Sequence, residues 1–480
     1  MLTDIRNPWA RRLLALITGL GWVALGWDSS AHADRIWTNI ATRRENLVIQ
    51  RASYDYAPSV MLDGRYRMWW CGGVAGDFIL YAEAESLDGP WSDPIPVFQP
   101  TGNAAQFDGL HTCDPSVVRA AGRYYLYYGG LAADTPGNAT QIGVAQSRDG
   151  LTWTRLNGGQ PILVPHGNAD AMPNPYGAGQ PSVTYVDGLF YLIYTDTTGQ
   201  GSIANGAGQY VLRSPDPTFQ TGLEELTARG FVPRRSPADI TTEFSLLNGF
   251  SVDWQYVDLL DAFLVVKHNV ANQTDLVMFH RSLQGPPLAT VALANSPWSE
   301  GPGIVSRPDR HALPSLSNPT TVPIDVLRSV QTGAGVSSWE IALVGMDLQT
   351  SVRPAAVPYA QLLEGFAIRS ASGAIAWVVD GQRFQPANAE LLRHLTHNVA
   401  AVSDEVFAQI PYGASLPLGA AAVGASGRPA AFILADGRAW PVGCPEVIAE
   451  NGSSIRAIAP EEYDALPKGP ALRCVGWRPL

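Results

Sequence analysis

The sequence predicts an all-β protein built from short strands and many turns. The 480-residue chain contains 47 glycines and 37 prolines, residue types that favour turns and strand ends. Charged residues make up 16 % of the chain, compared with about 25 % in an average soluble protein. A hydrophobic content of 46 % excludes wholesale disorder. The net charge of -11 argues against a nucleic acid as the main partner, because such binding depends on neutralising phosphates.

The first 33 residues are predicted to be a signal peptide. Arg11 and Arg12 precede the apolar run 13–27, and Ala31-His32-Ala33 is a small-x-small cleavage pattern. A single membrane anchor is the alternative, but the apolar run is shorter than the about 20 residues that a membrane span needs. We therefore expect a mature protein that begins at Asp34, does not span a membrane, and is secreted or periplasmic.

Three stretches in the first half of the chain share one pattern. They start at Ala57, Asp114 and Gln180, and each contains Pro-Ser-Val, a short apolar run, a turn with glycine, and an aromatic-rich strand. This pattern is typical of a β-hairpin. A second alternating strand, a serine and a turn follow each hairpin. Each unit therefore supplies three or four antiparallel strands, and the units recur every 57 to 66 residues.

Two weaker copies extend the repeat. One begins at Phe250, another is centred on residues 322–347, and the segment 35–50 could add a strand to the last unit and close a ring. Radial repetition of four-stranded sheets is the architecture of a β-propeller. The sequence thus predicts a five-bladed β-propeller over residues 34–353.

Three features of this arrangement resemble the family 43 glycoside hydrolases and the β-fructosidase superfamily. They are the inner-strand motif, the aromatic strand after a glycine turn, and the outer Ser-x-Asp-Gly strand. The resemblance covers about residues 35–350. It implies an exported glycosidase that hydrolyses O-glycosyl bonds of a polysaccharide or oligosaccharide with paired carboxylates in the propeller channel. A carbohydrate-binding propeller without catalytic activity is the alternative.

The catalytic candidates come from the starts of the inner strands. Because strand side chains alternate in direction, residues two apart share a face. We therefore expect Asp55, Asp114 and Asp253 to converge on one axial pocket together with Gln180. Paired carboxylates are what glycoside cleavage requires. The alternative is that these aspartates bind backbone N–H groups in turns.

The resemblance implies an aspartate base, a second aspartate that tunes it, and a glutamate acid. Asp55 matches the base only approximately, because Ala57 stands at the expected position. Asp114 lies in an intact Asp-Pro-Ser-Val motif, but in the second blade. Gln180 occupies the place of the acid and cannot donate an acidic proton, so Asp114 is predicted as the acid, and Glu243 is a second choice.

Several further residues are predicted to bind substrate. Aromatic rings near the pocket would stack on sugar faces, and polar groups in the loop before the second inner strand would bind hydroxyls. The candidates are Tyr54, Tyr56, Trp70, Trp254, Asp108, His111 and Gln180.

Four cysteines in an oxidising compartment allow two disulfides. Cys71 ends one strand and Cys113 begins a strand of the next blade, so a bond between them at the pocket rim is expected, with two buried thiols as the alternative. Cys444 and Cys474 could link the C-terminal part. No cofactor is expected, since no zinc spacing occurs, although a structural cation in the channel is compatible with the sequence.

After the propeller the pattern changes. Asp380-Gly381 recurs at Asp436-Gly437 and Pro411 recurs at Pro467, both at an offset of 56 residues. This predicts two small α+β repeats, 354–418 and 419–480, which resemble the tandem repeats appended to exported bacterial proteins. We expect them to attach the protein to a glycan or cell wall, or to cap the propeller.

Overall fold

The computed structural model describes residues 36–474, except 52, 74–76, 203–207, 269–272, 295–298, 316–317, 319, 334–338, 351–358 and 397–398. The predicted signal peptide, 1–33, lies outside the described residues. The described part is mostly β-strand with a few short helices, so the all-β prediction is confirmed for the bulk of the chain. None of the described helices is long and apolar enough to cross a membrane.

The N-terminal part is built from antiparallel groups of strands that follow one another along the chain. The first strand, β1, is Ile36–Ile49. The first group is β2 Asp55–Leu62, β3 Tyr66–Gly72, β4 Phe78–Ala84 and β5 Ile95–Phe98. The second group is β6 His111–Ala120, β7 Arg123–Leu131, β8 Gln141–Ser147 and β9 Thr154–Arg155. The third is β10 Ala178–Val186, β11 Leu189–Asp196, β12 Gln209–Ser214, β13 Glu224–Thr227 and β14 Gly230–Pro233.

Two more groups complete this part. One is β15 Asp253–Val257, β16 Ala262–His268, β17 Thr274–His280 and β18 Ala289–Ala294, and the other is β19 Pro302–Ser306, β20 Thr321–Gln331 and β21 Trp339–Thr350. β1 pairs with β21, which confirms that the segment before the first hairpin joins the last unit. The inner strand of that unit is β19, which lies before the range 322–347 that the sequence indicated. β19 also pairs in parallel with β2, so the last group joins the first.

The hydrophobic core lies between neighbouring groups. Met61 and Trp69 of the first group pack with Val117 and Leu126 of the second, and similar clusters join the second group to the third, the third to the fourth, and the fourth to the last. The apolar side chains are buried between sheets, as expected for strands that are covered on both faces.

The Pro-Ser-Val motifs have a defined role in this packing. In the first three groups the serine hydroxyl accepts a hydrogen bond from a backbone N–H of the next group. The bonds are Val117 N–H to Ser59 Oγ (3.0 Å), Val183 N–H to Ser116 Oγ (2.9 Å) and Trp254 N–H to Ser182 Oγ (3.2 Å). In the fourth group Asp253 takes the same place, and its Oδ2 accepts from Ile304 N–H at 2.6 Å.

The residue before each inner-strand motif has a left-handed backbone. The φ angles are 48° at Ala57, 49° at Asp114, 48° at Gln180, 55° at Ser251 and 60° at Gly301. In the first three groups the strand register shifts at this point, which is the signature of a β-bulge. A bulge breaks the alternation of side chains, so residues two apart no longer share a face.

The C-terminal part contains two small sheets and five short helices. The first sheet is β22 Ala367–Ser370, β23 Ile375–Val379, β24 Gln382–Pro386, β25 Val399–Val402 and β26 Tyr412–Leu416, and the second is β27 Ala422–Gly424, β28 Ala431–Ile433, β29 Ala439–Pro441 and β30 Ile455–Ala457. The described helices are Tyr359–Leu362, Leu392–Leu395, Asp404–Gln409, Pro445–Glu450 and Pro460–Ala465. Both sheets contribute to one hydrophobic cluster, in which Phe384 and Trp440 have ring centroids 5.3 Å apart.

Candidate active site

The five left-handed positions and the residues that follow them line one small pocket at the starts of the inner strands. Asp114 and Asp253 are the acidic residues that line this pocket, and Asp114 stands at one of the left-handed positions. Its Oδ2 accepts a hydrogen bond from the Tyr176 hydroxyl at 2.9 Å, and its buried Oδ1 has no partner among the described residues. Burial raises the pKa of Asp114 to about 7, and the negative charge of Asp77 adds to the effect. An appreciable fraction of the Asp114 carboxyl group is therefore protonated at neutral pH.

Glu300 is the second carboxyl group of this site. It lies directly before Gly301, and its Oε1 accepts a hydrogen bond from Gln180 Nε2 at 3.2 Å. Its backbone N–H donates to Ser329 Oγ at 2.8 Å, which fixes the turn that carries it. Burial, together with the charges of Asp114 and Asp77, raises the pKa of Glu300 to about 8. Glu300 is thus a protonated acid at pH 7.

Asp77 is the third carboxyl group, and it lies in the connection between β3 and β4. The Tyr56 hydroxyl donates to its Oδ2 at 3.2 Å, and His111 Nδ1 lies 3.4 Å from the same oxygen. Burial raises the pKa of Asp77, while His111 and the Tyr56 hydroxyl lower it. Its side chain is 24 % exposed, so water reaches it more easily than it reaches Asp114.

Gln180 orients Glu300. Its side-chain oxygen accepts hydrogen bonds from the Thr195 hydroxyl at 3.0 Å and from Ser251 N–H at 2.9 Å. Gln209 in turn donates to Thr195 Oγ1 at 2.7 Å. Because its oxygen is occupied, the amide nitrogen of Gln180 points to the Glu300 carboxyl group. Gln180 is therefore part of the site as predicted, as a neutral donor.

An aromatic cluster borders the carboxyl groups. The Tyr54 ring lies 4.6 Å from that of Tyr56 and 4.7 Å from that of Trp339, between centroids. Burial raises the pKa of Tyr54 and Tyr56, and the charges of Glu300, Asp77 and Asp114 raise both further, which places these two tyrosines beside the three acids. Of the predicted aromatic ligands, Tyr54 and Tyr56 are therefore at the site.

Asp55 is not brought together with Asp114, although the sequence led us to expect it. It is fully buried, and its Oδ1 accepts a hydrogen bond from Trp70 Nε1 at 2.8 Å. Arg51 Nε lies 3.5 Å from its other oxygen. The bulge at Ala57 is the reason for the difference, because it breaks the two-residue periodicity on which the expectation rested. Trp70 accordingly packs in the core and anchors Asp55.

Asp253 lines the same small pocket as Asp114 and Gln180, and its carboxylate oxygens are held by structural partners. It receives hydrogen bonds from the Ser182 hydroxyl and from Ile304 N–H, and it forms an ion pair with the fully buried Arg310. It therefore links the fourth group of strands to the last, while it borders the same small pocket as Asp114 and Gln180. Trp254 is fully buried, and its ring stacks on Phe263 at 4.7 Å.

The two polar candidates of the loop before β6 have different surroundings. Asp108 is buried, and its Oδ2 accepts hydrogen bonds from Arg155 Nε at 2.7 Å and from the Tyr128 hydroxyl at 2.9 Å. His111 contacts Asp77, and its Nε2 lies 3.2 Å from Asp134 Oδ2. His111 is therefore at the edge of the site, whereas Asp108 belongs to a packed ion pair behind it.

Sequence reasoning missed Glu300, Asp77, Tyr176 and Trp339. Glu300 carried a usable signal, because Glu-Gly-Pro at 300–302 aligns its glycine with Ala57, Asp114 and Gln180 before proline. Asp77 had no comparable signal, since it lies in a connection between strands and reaches the site through tertiary contacts.

Both expected disulfides are present. Cys71 pairs with Cys113 with a Cα–Cα distance of 5.1 Å, and Cys444 pairs with Cys474 at 5.9 Å. Asp77 and the sulfurs of Cys71 and Cys113 form the single group of three metal-ligating residue types found in the described part of the chain. Its sulfurs are joined in the disulfide, so they offer no thiolate to a metal.

Comparison with known proteins finds partial sequence similarity to enzymes that act on arabinan. Arabinan endo-1,5-α-L-arabinosidase A of Aspergillus niger is 26 % identical over 134 residues, which are 27 % of this chain and 37 % of that protein. Probable arabinan endo-1,5-α-L-arabinosidase C of Aspergillus fumigatus is 32 % identical over 93 residues, 19 % of this chain and 27 % of that protein. The chain therefore matches about a third of the length of these curated relatives.

Solved structures with a similar arrangement of strands include two glycoside hydrolases. A family 117 glycoside hydrolase from the marine bacterium Zobellia galactanivorans has a TM-score of 0.47 at 12 % identity, covering 66 % of this chain and 91 % of that one. The family 62 α-L-arabinofuranosidase of Coprinopsis cinerea has a TM-score of 0.41 at 14 % identity, covering 65 % and 98 %. No protein-family model matches the chain. The sequence relatives and structural neighbours named here are thus glycoside hydrolases, and they share short or distant similarity with this protein.

Proposed function

We propose that this protein is an exported glycoside hydrolase whose catalytic groups are Glu300, Asp77 and Asp114. The observation that carries the proposal is that Glu300, held by Gln180 of the pocket lining, lies near enough to Asp114 for the charge of Asp114 to raise its pKa, and that the two carboxyl groups have pKa values of about 8 and 7. General acids work best when their pKa lies near the working pH. Glycoside hydrolysis needs one carboxyl group that keeps its proton and another that is ionised.

In the proposed mechanism Glu300 is the acid. It transfers its proton to the glycosidic oxygen as the bond from that oxygen to the anomeric carbon breaks. Asp77, the more exposed carboxylate, takes a proton from a water molecule as the water oxygen bonds to the anomeric carbon from the opposite face. The negative charge of Asp114 keeps the pKa of Glu300 high. Direct attack by water inverts the anomeric configuration.

We propose a neutral polysaccharide or oligosaccharide as the substrate. The charged groups that shift the pKa of Glu300 and Asp114 are acidic, and among the described residues that shift the pKa of Asp77, His111 is the basic one. A uronic acid would therefore meet like charge in the pocket. The names of the curated relatives favour arabinan among the neutral candidates. The rings of Tyr54 and Trp339 would stack on a sugar face.

A carbohydrate-binding protein without catalytic activity is the second candidate. It is favoured by Ala57 and Gln180, which are uncharged at the two ring positions where the resembled family implies acidic residues. In that case the three carboxyl groups would accept hydrogen bonds from sugar hydroxyls.

The wider architecture belongs to the same proposal. Five groups of strands around one pocket are proposed to be the five blades of a propeller, and two disulfides agree with an oxidising, secreted or periplasmic location. We propose that the two C-terminal units attach the protein to a glycan or cell wall.

The test is hydrolysis of soluble arabino-, xylo-, fructo- and galacto-oligosaccharides by the purified protein and by Glu300→Gln, Asp77→Asn and Asp114→Asn. We expect turnover of at least one substrate, with losses of about 100-fold or more for Glu300→Gln and Asp77→Asn. Glu446→Gln, an exposed residue of the second C-terminal unit, is the control. Sugar binding by calorimetry without turnover of any substrate would favour the second candidate.

A further inference from the structure

The hydroxyl of Tyr56 lies between a disulfide and a carboxylate of the site. It is 2.9 Å from Cys113 Sγ and 3.2 Å from Asp77 Oδ2, and the residue is only 6 % exposed. A disulfide sulfur carries no hydrogen, so it cannot donate to the hydroxyl. Because a carboxylate is a much stronger acceptor than a disulfide sulfur, the Tyr56 proton is directed to Asp77.

The disulfide ties together the two segments that carry Asp77 and Asp114. Cys71 lies in β3, whose chain continues into the Asp77 connection, and Cys113 directly precedes Asp114 in β6. Two hydrogen bonds of the Asp77 backbone join the same two segments. Thr112 N–H donates to Asp77 O at 3.1 Å, and Asp77 N–H donates to His111 Nδ1 at 3.3 Å. The connection that carries Asp77 is thus held against the strand that carries Asp114.

We infer that Tyr56 and the Cys71–Cys113 disulfide are positioning groups that hold the Asp77 carboxylate beside Asp114 and Glu300. Tyr56 fixes the side chain of Asp77 through one hydrogen bond, and the disulfide holds β3, which leads to Asp77, against β6, which carries Asp114. Loss of either group would let Asp77 move toward solvent. The enzymatic consequence rests on the proposed function, whereas the positioning itself does not.

Electrostatics supply a readout for this positioning. The titratable groups that act on Asp77, or on which it acts, are His111, Asp134, Tyr54, Tyr56, Asp114 and Glu300. The negative charge of Asp77 raises the pKa of both Asp114 and Glu300. The Tyr56 hydroxyl lowers the pKa of Asp77, because it donates to the ionised form. Displacing Asp77 should therefore lower the pKa of its two neighbours.

The direct test is a carboxyl titration of the ligand-free, full-length protein by ¹³C NMR, which compares the wild type with Tyr56→Phe. This change removes a single oxygen, and Tyr128→Phe is the matched control because the Tyr128 hydroxyl donates to Asp108. We expect the pKa of Asp114 and Glu300 to fall by about 0.5 unit or more, and the pKa of Asp77 to rise. The double variant Cys71→Ser, Cys113→Ser should also lower the pKa of Asp114 and Glu300, while Cys444→Ser, Cys474→Ser should not.

Activity gives a second readout where the protein hydrolyses a substrate. In Tyr56→Phe the acidic limb of the pH–rate profile should move up and the basic limb should move down, so the profile narrows. Unchanged titration of all three carboxyl groups in Tyr56→Phe would overturn the inference, as would a fall in turnover at every pH without narrowing. If no substrate is hydrolysed but the titrations shift, the proposed function fails and the positioning stands. Should the cysteine variant fail to fold, the Tyr56→Phe titration alone decides.

Discussion

Gln180 donates a hydrogen bond from its side-chain amide to the carboxyl group of Glu300, with 3.2 Å between Nε2 and Oε1. The two residues lie 120 positions apart and come from different groups of strands. The amide is neutral and its oxygen is already bound by Thr195 and Ser251, so its orientation is fixed. Because this donor is fixed and neutral, the carboxyl group of Glu300 can gain or lose a proton without an opposite charge beside it.

The first prediction concerns Gln180→Glu. Two carboxyl groups at hydrogen-bond distance cannot both ionise readily, so they should share one proton and the second ionisation should move to higher pH. We expect the basic limb of the pH–rate profile to rise by about 1 pH unit or more. Gln180→Met, which has a similar size and no charge, is the control; it only removes the hydrogen bond that lowers the pKa of Glu300, so it should raise that limb by less than Gln180→Glu. A basic limb that does not move in Gln180→Glu, together with unaffected turnover in Glu300→Gln, would contradict the role of Glu300 as the acid.

The second prediction separates stability from catalysis at Asp253. Its carboxylate pairs with the fully buried Arg310 and receives Ile304 N–H. Removing one partner of a buried ion pair leaves an uncompensated charge, so Asp253→Ser should lower the free energy of unfolding by about 3–5 kcal/mol. Urea denaturation measures this loss. The double change Asp253→Ser, Arg310→Met should recover most of the stability, because serine matches Ser59, Ser116 and Ser182 at the corresponding position.

The double variant also tests the catalytic role that the sequence suggested for Asp253. A folded double variant with normal turnover is the expected result. A stable double variant without turnover would show that the carboxylate itself is needed for the reaction, and the structural assignment would then be incomplete.

Much of the strand architecture could be predicted from the repeat. The error in the direction of a side chain along these strands has a physical cause. The hairpins beginning near Ala57, Asp114 and Gln180 are present, because a proline start, a glycine turn and an aromatic strand act locally. The direction of Asp55 was misjudged, because the left-handed Ala57 lies at a bulge that a two-residue period cannot anticipate. The side-chain direction beyond a bulge depends on register, and register is a tertiary property.

The candidate site was accessible in part. Asp114, Gln180, Tyr54, Tyr56 and the Cys71–Cys113 bond were all singled out from the sequence, and the structure brings them to one rim. Asp77 could not be found in this way, since its place is set by Thr112, His111 and Tyr56 rather than by its own sequence neighbours. Contacts of this kind leave no periodic mark on the chain.

The third prediction concerns the dependence of stability on pH. Asp114 and Glu300 have pKa values of about 7 and 8 in the folded protein, above the about 4 of unfolded chains. Between about pH 4 and pH 8 the folded state therefore binds more protons than the unfolded state. Stability should be greatest below pH 4 for these two groups and should be lost as the pH rises through 7 and 8.

The measurement is the urea midpoint of the wild type at pH 5 and pH 8, compared with the double variant Asp114→Asn, Glu300→Gln. Other groups, including His311 with its raised pKa, contribute a slope of the same sign. The difference between the two proteins isolates the site, and we expect the variant to lose less stability than the wild type between these pH values. Identical losses would mean that the two carboxyl groups ionise in the folded protein as they do in the unfolded one.

The fourth prediction concerns Gly303, which lies where the last group of strands meets the first. It stands at the position that Ser59, Ser116, Ser182 and Asp253 occupy elsewhere, yet a Cβ at this residue would overlap the carbonyl oxygen of Pro58. Its φ is not left-handed, so the requirement for glycine is close approach rather than backbone conformation. Gly303→Ala must therefore push β19 away from β2, and overpacking of this kind costs about 1–3 kcal/mol.

Gly167→Ala is the matched control, because a Cβ there meets the nearest atom at 3.4 Å, an ordinary contact. Urea denaturation should show a lower midpoint for Gly303→Ala alone. Equal midpoints for the two variants would mean that the contact between β19 and β2 adjusts without loss of stability, and that close approach does not explain the glycine at this position.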